Sequence, residues 1–513
     1  MSYIPPAPSA STGPSASNGP SASTGTPPLD ASQAPLHWTL VCHLHHLHHL
    51  HHLHQIPHRV CRAQQQGGES EKTEKTCGRQ RKLVSLQYNL FVMRRFLILI
   101  LAVCASVTAL AQVYNVRDIV AADMNKAAGC EGPYRYDAAP LSPSPKGYVP
   151  FYISHYGRHG SRYAWNDGTY TTIKRVLEAA AKSGSLTEEG KAFHDRYMDF
   201  YREPLINTGD LTELGYRQHA AIAAAMVAHF PEVFASSKGE FLARSSTSPR
   251  AIASMASFCT SLQKSAPKVD ISMNSLHANM IIMNPTEAPD ELLQKYRLDF
   301  KVPVPDSTTI VASRHQDDIL DRLFTDRTFL EEIGGRNKFF HELFMLWSGY
   351  HNYYDGDLFG SVFTEAELVD FWEAENYRLY LSHSSDRFQM IPLLRDIVEC
   401  ANRAIAGGGT GADFRFGHDT VLNALIPLLN INGGGFQPDK AEDVKYYFQN
   451  FNCPKAANLQ FVFYKPKKGE GEILFKLLMN ESEVALPQLQ AKEGPYYRWA
   501  DFAAWAEGVI ASH

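Results

Sequence analysis

Residues 154–163 read SHYGRHGSRY and place Arg158, His159 and Arg162 within five positions. So much local positive charge requires an anion or several carboxylate partners. Guanidinium groups bind phosphate oxygens in pairs, which the ammonium of a lysine cannot do. A neutral imidazole beside them can act as a nucleophile and divide one difficult step into two. The stretch therefore indicates phosphoryl chemistry.

Two other segments have the same order of strand, short turn and helix. GEFLARSST is followed by Arg250 near the start of a helix, and ADFRF is followed by His418 and Asp419. In α/β sheets, ligands bind at the carboxyl ends of strands and near the N-termini of helices. The three turns are therefore predicted to meet at one sheet edge, where a carboxylic acid could protonate a departing oxygen.

The elements that must position these turns can be predicted from pattern. Residues 149–155 are rich in β-branched and aromatic residues and predict a buried strand. Helical spacing marks 171–183 and 211–230, and Ser248 and Pro249 are suited to the N-cap and first position of a further helix. LQFVFYKPK and EILFKLLMN predict an antiparallel pair. Residues 266–395 are predicted to form a helical cap insertion in a core made of 112–265 and 396–513.

The charge distribution limits the class of partner. Nine of the 49 basic and four of the 54 acidic residues lie in residues 1–111, so the rest of the chain carries a net charge of −10. Such an acidic body argues against a nucleic-acid partner but not against a local basic pocket for a small anion.

The N-terminal region does not resemble part of a fold. Residues 1–92 are a low-complexity extension with a histidine tract at 43–54, and residues 93–111 have the basic, apolar and small-residue regions of a signal peptide. We expect export to the periplasm or the medium, no stable membrane span and a native start at Met93. N-terminal analysis of the native protein that found an earlier start would contradict this.

Four cysteines follow the signal peptide: Cys130, Cys259, Cys400 and Cys453. In an oxidising compartment they allow three pairings, and buried free thiols are the alternative. None has a metal-ligand spacing, so we expect no zinc site.

Four motifs in this order resemble the histidine acid phosphatases, which include phytases and multiple inositol polyphosphate phosphatases. They are RHGSR at 158–162, LTELGYRQ at 211–218, RSSTSPR at 244–250 and HD at 418–419, and together they span 148–431. The resemblance implies a three-layer α/β core with a mixed, mainly parallel sheet between helices and a helical cap over the pocket. It also implies chemistry that needs no metal and no cofactor. It implies that His159 is the nucleophile, that Asp419 is the proton donor, and that the phosphate is held by Arg158, Arg162, Arg250 and His418.

Two departures from the family pattern bear on substrate. Ala164 replaces a frequent proline, and HD replaces the HAE of many inositol-phosphate enzymes, although the flanking residues resemble that group. We therefore expect a small phosphomonoester substrate, an inositol polyphosphate such as phytate. The alternatives are a broad-specificity acid phosphatase and a non-catalytic phosphate-binding protein. Arg244 is a candidate substrate contact or a structural arginine, and His155 and His219 are expected to be structural.

Overall fold

The structure is a computed structural model that describes residues 115–135, 140–235, 240–295 and 315–513, except 334, 386 and 408–410. The low-complexity extension and the signal peptide predicted before Gln112 lie outside these residues. No described helix is long and apolar enough to cross a membrane.

A single mixed sheet forms the centre of the described chain. Its order is β3-β2-β4-β1-β5-β6-β7, with β8 paired to β6. The strands β1 to β4 are parallel, and β5 to β8 continue the sheet in antiparallel pairs. The strands are β1 (Tyr148–Arg158), β2 (Glu240–Ser245), β3 (Ile271–Asn274), β4 (Gly411–Gly417), β5 (Asn458–Pro466), β6 (Leu474–Met479), β7 (Ser482–Val484) and β8 (Tyr497–Arg498).

Helices cover both faces of this sheet, and their described bounds follow. They are α1 (Val116–Ala122), α2 (Met124–Ala127), α3 (Gly168–Ser183), α4 (Glu188–Phe200), α5 (Arg202–Ile206), α6 (Glu213–His229), α7 (Pro231–Phe234), α8 (Pro249–Ser265), α9 (Met280–Met283), α10 (Asp290–Lys295), α11 (Gln316–Leu323), α12 (Thr328–Ile333), α13 (Arg336–Gly349), α14 (Glu365–Leu379), α15 (Ile391–Gly407), α16 (Asp419–Leu428), α17 (Val444–Tyr447) and α18 (Trp499–Ser512).

The side chains of the strands alternate between two hydrophobic cores. Phe461 and Phe463 of β5 face the core formed with α15, α16 and α18. Val462 and Tyr464 face the opposite core, formed with α6 and α8. This alternation is the period of two expected of a strand that is buried on both sides. The predicted three-layer α/β core is confirmed, and so is the antiparallel pairing of β5 with β6.

A third core lies among helices alone, and its composition differs from the predicted domain division. It joins α3 and α4 to α11, α13 and α14. Residues 168–200, which belong to the predicted α/β core, thus pack with helices of the predicted cap. Residues 266–395 are also not purely helical, because β3 pairs with β2 at the edge of the sheet. The boundaries at 265 and 395 themselves remain a prediction.

The parallel register brings the ends of three strands to one level. Arg158 at the end of β1 lies opposite Gly417 at the end of β4, and Ser245 of β2 lies opposite Phe416. The turns that follow these strands therefore leave the sheet side by side. This is the convergence that the repeated strand, turn and helix order predicts.

The turn after β1 is held in place by α6. Thr212 caps this helix, and its backbone N–H and its hydroxyl both donate to the carbonyl of Ser161, at 2.9 and 3.0 Å. Gln218 accepts from the N–H of Ser161 at 2.8 Å. A Cβ on Gly160 would lie 2.6 Å from the carbonyl oxygen of Gly215, and a Cβ on Gly215 would lie 2.3 Å from that of Ser161. The LTELGYRQ motif is therefore the support of the RHGSR turn.

We predict that Gly215→Ala destabilises the protein by about 1–3 kcal/mol, because the added methyl group has no room where two backbones are in contact. The measurement is chemical denaturation. Gly508→Ala is the matched control, since Gly508 lies on an exposed face of α18 with no atom near its Cβ position. This control should be neutral or stabilising by up to about 1 kcal/mol. Equal stability of the two variants would contradict the proposed close contact.

Candidate active site

A cavity of about 300 Å³ opens above the ends of β1, β2 and β4. His159, Arg162, Arg250, His418 and Asp419 line it. Arg158 lies directly beneath, with none of its surface exposed. The structure thus brings together all six residues that the motifs singled out for catalysis and phosphate binding.

The guanidinium of Arg158 is satisfied on one edge only. Its Nη1 donates to the carbonyl oxygens of Cys130 and Cys453. Its Nη2 lies 3.1 Å from Oδ2 of Asp419 and 3.5 Å from Oε1 of Glu131, and neither contact has hydrogen-bond geometry. Its Nε is buried and also lacks a partner among the described residues. Since a buried N–H without an acceptor is costly, this side of Arg158 requires an anion.

His159 is oriented by its own main chain. Its Nδ1 lies 2.9 Å from the carbonyl oxygen of Gly160, which fixes the proton on Nδ1 and leaves the lone pair on Nε2. The ring is buried, and this burial, together with the charges of Arg250 and Arg158, holds its pKa well below the ordinary value. The imidazole is therefore neutral in mildly acidic solution.

His418 is the N-cap of α16 and faces His159, with the two ring centres 5.5 Å apart. Its Nε2 lies 2.9 Å from Oγ of Ser246, and its backbone N–H donates to the hydroxyl of Tyr156. Burial and the charge of Arg250 lower the pKa of His418 to about 3. Two neutral imidazoles thus lie within a group of arginines.

Asp419 follows in the first turn of α16. Burial by itself would raise the pKa of its carboxyl group, but the positive charges of Arg158 and Lys455 outweigh burial and lower it. Without a bound anion, Asp419 is therefore ionised and acts as a counter-ion of Arg158.

Two helices present their N-termini to the cavity. Asp419 begins α16, and Arg250 lies in the first turn of α8, which starts at Pro249 after the N-cap Ser248 as predicted. Helix N-termini favour anions. No described residue hydrogen-bonds to the guanidinium of Arg250, whose buried Nε lacks an acceptor. Burial and the neighbouring Arg162 lower the pKa of Arg250 to about 10, so it stays charged.

Two important residues of the site were not predicted from the sequence. Glu131, on a short 3-10 turn (Gly129–Glu131), contacts Arg162 at 3.2 Å, and its other oxygen contacts Nζ of the fully buried Lys455 at 2.8 Å. Burial opposes ionisation of Glu131, yet the charges of Arg162, Lys455 and Arg158 lower its pKa to about 2. Neither residue belongs to a recognisable motif, so no pattern in the sequence could have identified them.

Arg244, the additional candidate for a substrate contact, lies outside this cavity. Both of its terminal nitrogens donate to the carboxylate of Asp396, at 2.9 and 2.8 Å, and Asp396 also pairs with the buried Arg415. These contacts fit a structural role for Arg244, which was the alternative to a substrate contact. His155 is buried against Phe258 with ring centres 5.4 Å apart, and His219 is buried on α6, which fits the structural roles expected of them.

The outer wall of the cavity comes from the helices above the sheet. His341 lies on α13, Arg378 on α14 and His383 on a π-helical turn (Tyr380–Ser384). Arg378 is paired with Glu375 through two hydrogen bonds of 2.7 and 2.5 Å. Trp165, with 64% of its surface exposed, lies at the rim. This wall therefore combines aromatic and cationic groups.

One of the four cysteines that follow the predicted signal peptide, Cys130, lines this cavity. Cys130, Cys259, Cys400 and Cys453 are buried free thiols. One cluster, made of His315, Asp318 and Glu367, has ligand atoms close enough to hold a metal. It does not line the cavity, and its members are engaged by Asp370 and Arg322.

Comparison with known proteins gives a structural result only. No protein-family model matches the chain, and no curated protein matches it significantly. Among solved structures, the multiple inositol polyphosphate phosphatase of Bifidobacterium longum, in complex with inositol hexasulfate, aligns with 18% identity and a TM-score of 0.60. That alignment covers 74% of this chain and 97% of the other. The phytase of D. castellii aligns with 17% identity and a TM-score of 0.58, over 76% and 86% of the two chains.

The chain has the phytase fold. The alignments cover nearly all of the Bifidobacterium enzyme and most of the phytase, so the likeness is to the whole of these proteins rather than to the sheet alone. The fold implied by the resemblance of the four motifs is thereby confirmed.

We predict that Arg250→Ala weakens the binding of inorganic phosphate by about 10- to 100-fold, because it removes a charged donor that has no partner in the empty protein. Arg244→Ala is the matched control and should leave phosphate affinity within about threefold. It should instead cost stability, on the order of 1–3 kcal/mol, because Asp396 loses two hydrogen bonds. Calorimetric titration and thermal denaturation measure the two effects. Equal loss of phosphate affinity in both variants would contradict this assignment.

Proposed function

We propose that the protein hydrolyses phosphomonoesters through a phosphohistidine intermediate and that its substrates are phytate or other inositol polyphosphates. The observation that carries this proposal is the arrangement of buried, unsatisfied N–H groups of Arg158 and Arg250 around the free Nε2 of His159. A phosphoryl group supplies the acceptors that these donors lack, next to a nucleophile that needs no further activation.

In the first step, Nε2 of His159 attacks phosphorus, and the bond from phosphorus to the ester oxygen breaks. Arg158, Arg162, Arg250 and His418 hold the transferring oxygens, where charge develops in the transition state. Asp419 gives its proton to the departing alkoxide. In the second step, a water molecule attacks phosphorus and the bond from phosphorus to Nε2 of His159 breaks. Asp419 receives a proton from that water, and the free imidazole and inorganic phosphate are released.

The protonation of Asp419 depends on the substrate. In the empty site Arg158 lies beside its carboxylate, which favours ionisation. A bound phosphate engages Arg158 and brings its own negative charge, so the pKa of Asp419 rises in the complex. Activity should then decline as the pH rises through this pKa. On the acidic side, the lowered pKa of His159 keeps the nucleophile unprotonated, so we expect an acidic optimum.

The choice of substrate class is supported by the fold and by the outer wall of the cavity. One structural neighbour is a phytase, and another is a complex with inositol hexasulfate. Arg378, His341 and His383 line the same cavity as His159 and offer basic groups for further phosphates of a ring substrate. A broad-specificity acid phosphatase is the second candidate, because Arg378 is already paired with Glu375 and the carboxylate of Glu287 also lines the cavity.

The proposed location of the enzyme is based on its sequence alone. Residues 93–111 have the form of a signal peptide, and we propose on that ground that the enzyme is exported to the periplasm or the medium.

Release of phosphate from phytate and from an activated aryl phosphate, measured side by side from acidic to neutral pH, tests the proposal. Efficient release from phytate supports an inositol-polyphosphate phosphatase, and release from the aryl ester alone supports the broad-specificity alternative. A folded protein that binds phosphate but releases none from either ester would be a non-catalytic phosphate-binding protein.

We predict that Asp419→Asn lowers kcat for phytate by about 10²–10⁴-fold, because an alkoxide is a poor leaving group without a proton donor. The same variant should lose far less activity toward an aryl phosphate with a weakly basic leaving group. His159→Ala is the control and should abolish turnover of both esters. Equal losses on the two substrates in Asp419→Asn would contradict its role as general acid.

A further inference from the structure

Two chain segments pack against the RHGSR turn. One contains Glu131, and the other runs through Lys455. The N–H of Lys455 donates to the carbonyl of Gly132 at 3.0 Å, which ties the segments together. The second segment also pairs with the turn itself, since the N–H of Ala456 donates to the carbonyl of His159 at 2.9 Å. Both segments are therefore attached to the residues that would hold the phosphate.

A continuous series of charges runs through these segments to the proton donor. Nζ of Lys455 lies 2.8 Å from Oε2 of Glu131. The other oxygen, Oε1, lies 3.2 Å from Nη2 of Arg162 and 3.5 Å from Nη2 of Arg158. Nη2 of Arg158 in turn lies 3.1 Å from Oδ2 of Asp419. Lys455 has no exposed surface, so solvent screens this series only weakly.

We propose that Glu131 and Lys455 are positioning residues of the phosphoryl transfer proposed above: Glu131 fixes Arg158 and Arg162, Lys455 fixes Glu131, and the pair balances the charge that acts on Asp419. Glu131 cannot itself bind a phosphate, because its ionised carboxylate would repel the anion. Its contribution is to hold two guanidiniums at the geometry that the transition state requires. This inference rests on the proposed function.

The pKa of Asp419 depends on the charged groups that surround its carboxyl group. The cations are Arg158 from β1, Arg162 from the turn, Arg250 from α8, Arg378 from α14, and Lys455. Burial and the neighbouring arginines lower the pKa of Lys455, whereas its 2.8 Å contact with Glu131 favours the charged form. The imidazoles are His383 and His418. Burial raises the pKa of Tyr156, Cys130 and Cys453, which are therefore neutral. Three carboxylates oppose these cations: Glu131 acts on Asp419 itself, Glu287 faces Arg250, and Glu375 is paired with Arg378.

The two members of the pair should therefore act on Asp419 with opposite signs. Removing the negative charge with Glu131→Gln leaves more positive charge around Asp419, so its pKa falls and the basic limb of the pH profile moves to lower pH. Removing the positive charge with Lys455→Met moves this limb to higher pH. Charges at such distances in a weakly screened site predict shifts on the order of one pH unit.

The experiment is the pH dependence of kcat for phytate in the wild-type protein, Glu131→Gln, Lys455→Met and the double variant. We expect opposite shifts in the single variants and a limb close to wild type in the double variant. Glu131→Gln should also lower kcat at its optimum by about 10-fold or more, because Arg158 and Arg162 lose their fixed partner. Shifts in the same direction, or no shift in either variant, would overturn the inference.

Three controls distinguish an electrostatic effect on Asp419 from a general loss of structure. Glu131→Asp retains the charge and should retain the wild-type limb, which a merely structural role would not require. An aryl phosphate that needs no proton donor should show no shift of the limb in any variant. If Lys455→Met does not fold, Glu131→Gln and the double variant, in which Lys455 and Glu131 are removed together, still decide the question. Absence of turnover in the folded wild-type protein would refute the proposed function, whereas an active wild type with unshifted variants would refute only the pair.

Discussion

The complete burial of the Arg158 guanidinium is the constraint on which the rest of this site depends. One edge of the group is satisfied by two main-chain carbonyls, those of Cys130 and Cys453, which come from segments far apart in the chain. The other edge has no hydrogen-bond acceptor among the residues that the structure describes. A charged group in this position is stable only if the protein supplies carboxylates nearby and keeps space for an anion. Glu131 and Asp419 are those carboxylates, and the cavity above His159 is that space.

The register of the parallel strands explains why the site lies at the end of the sheet. A parallel register places the last residues of β1, β2 and β4 side by side, so a short turn after each strand brings its side chain to one point. Two of the following helices present their N-termini to that point, which adds a favourable field for an anion. The contact of Gly160 with Gly215 then fixes the first turn, because the approach of two backbones leaves no room for a side chain. Rigid positioning and charge are what phosphoryl transfer requires from a protein.

The residues of the site that could be predicted are those whose neighbours are local. Arg158, His159 and Arg162 lie at or just after the end of a strand, and Arg250 and His418 lie at the starts of helices. Local periodicity therefore placed each of them at a sheet edge. Glu131 and Lys455 could not be found in this way, since their contact joins positions 324 residues apart. The partner of Arg244 could not be predicted either, because Asp396 lies 152 residues further along the chain. The packing of α3 and α4 with the helices of the predicted cap also depends on long-range contacts that no helical pattern reveals.

The central claim is that His159 receives the phosphoryl group while the buried arginines hold it. The most direct measurement is to mix the protein with phytate, stop turnover in alkali, where phosphohistidine survives, and locate the phosphoryl group by mass spectrometry of the peptides. The proposed mechanism predicts a phosphoryl group on His159 during turnover and none in His159→Ala. An unmodified His159 in a protein that is turning over phytate, or a phosphoryl group that persists in His159→Ala, would contradict it.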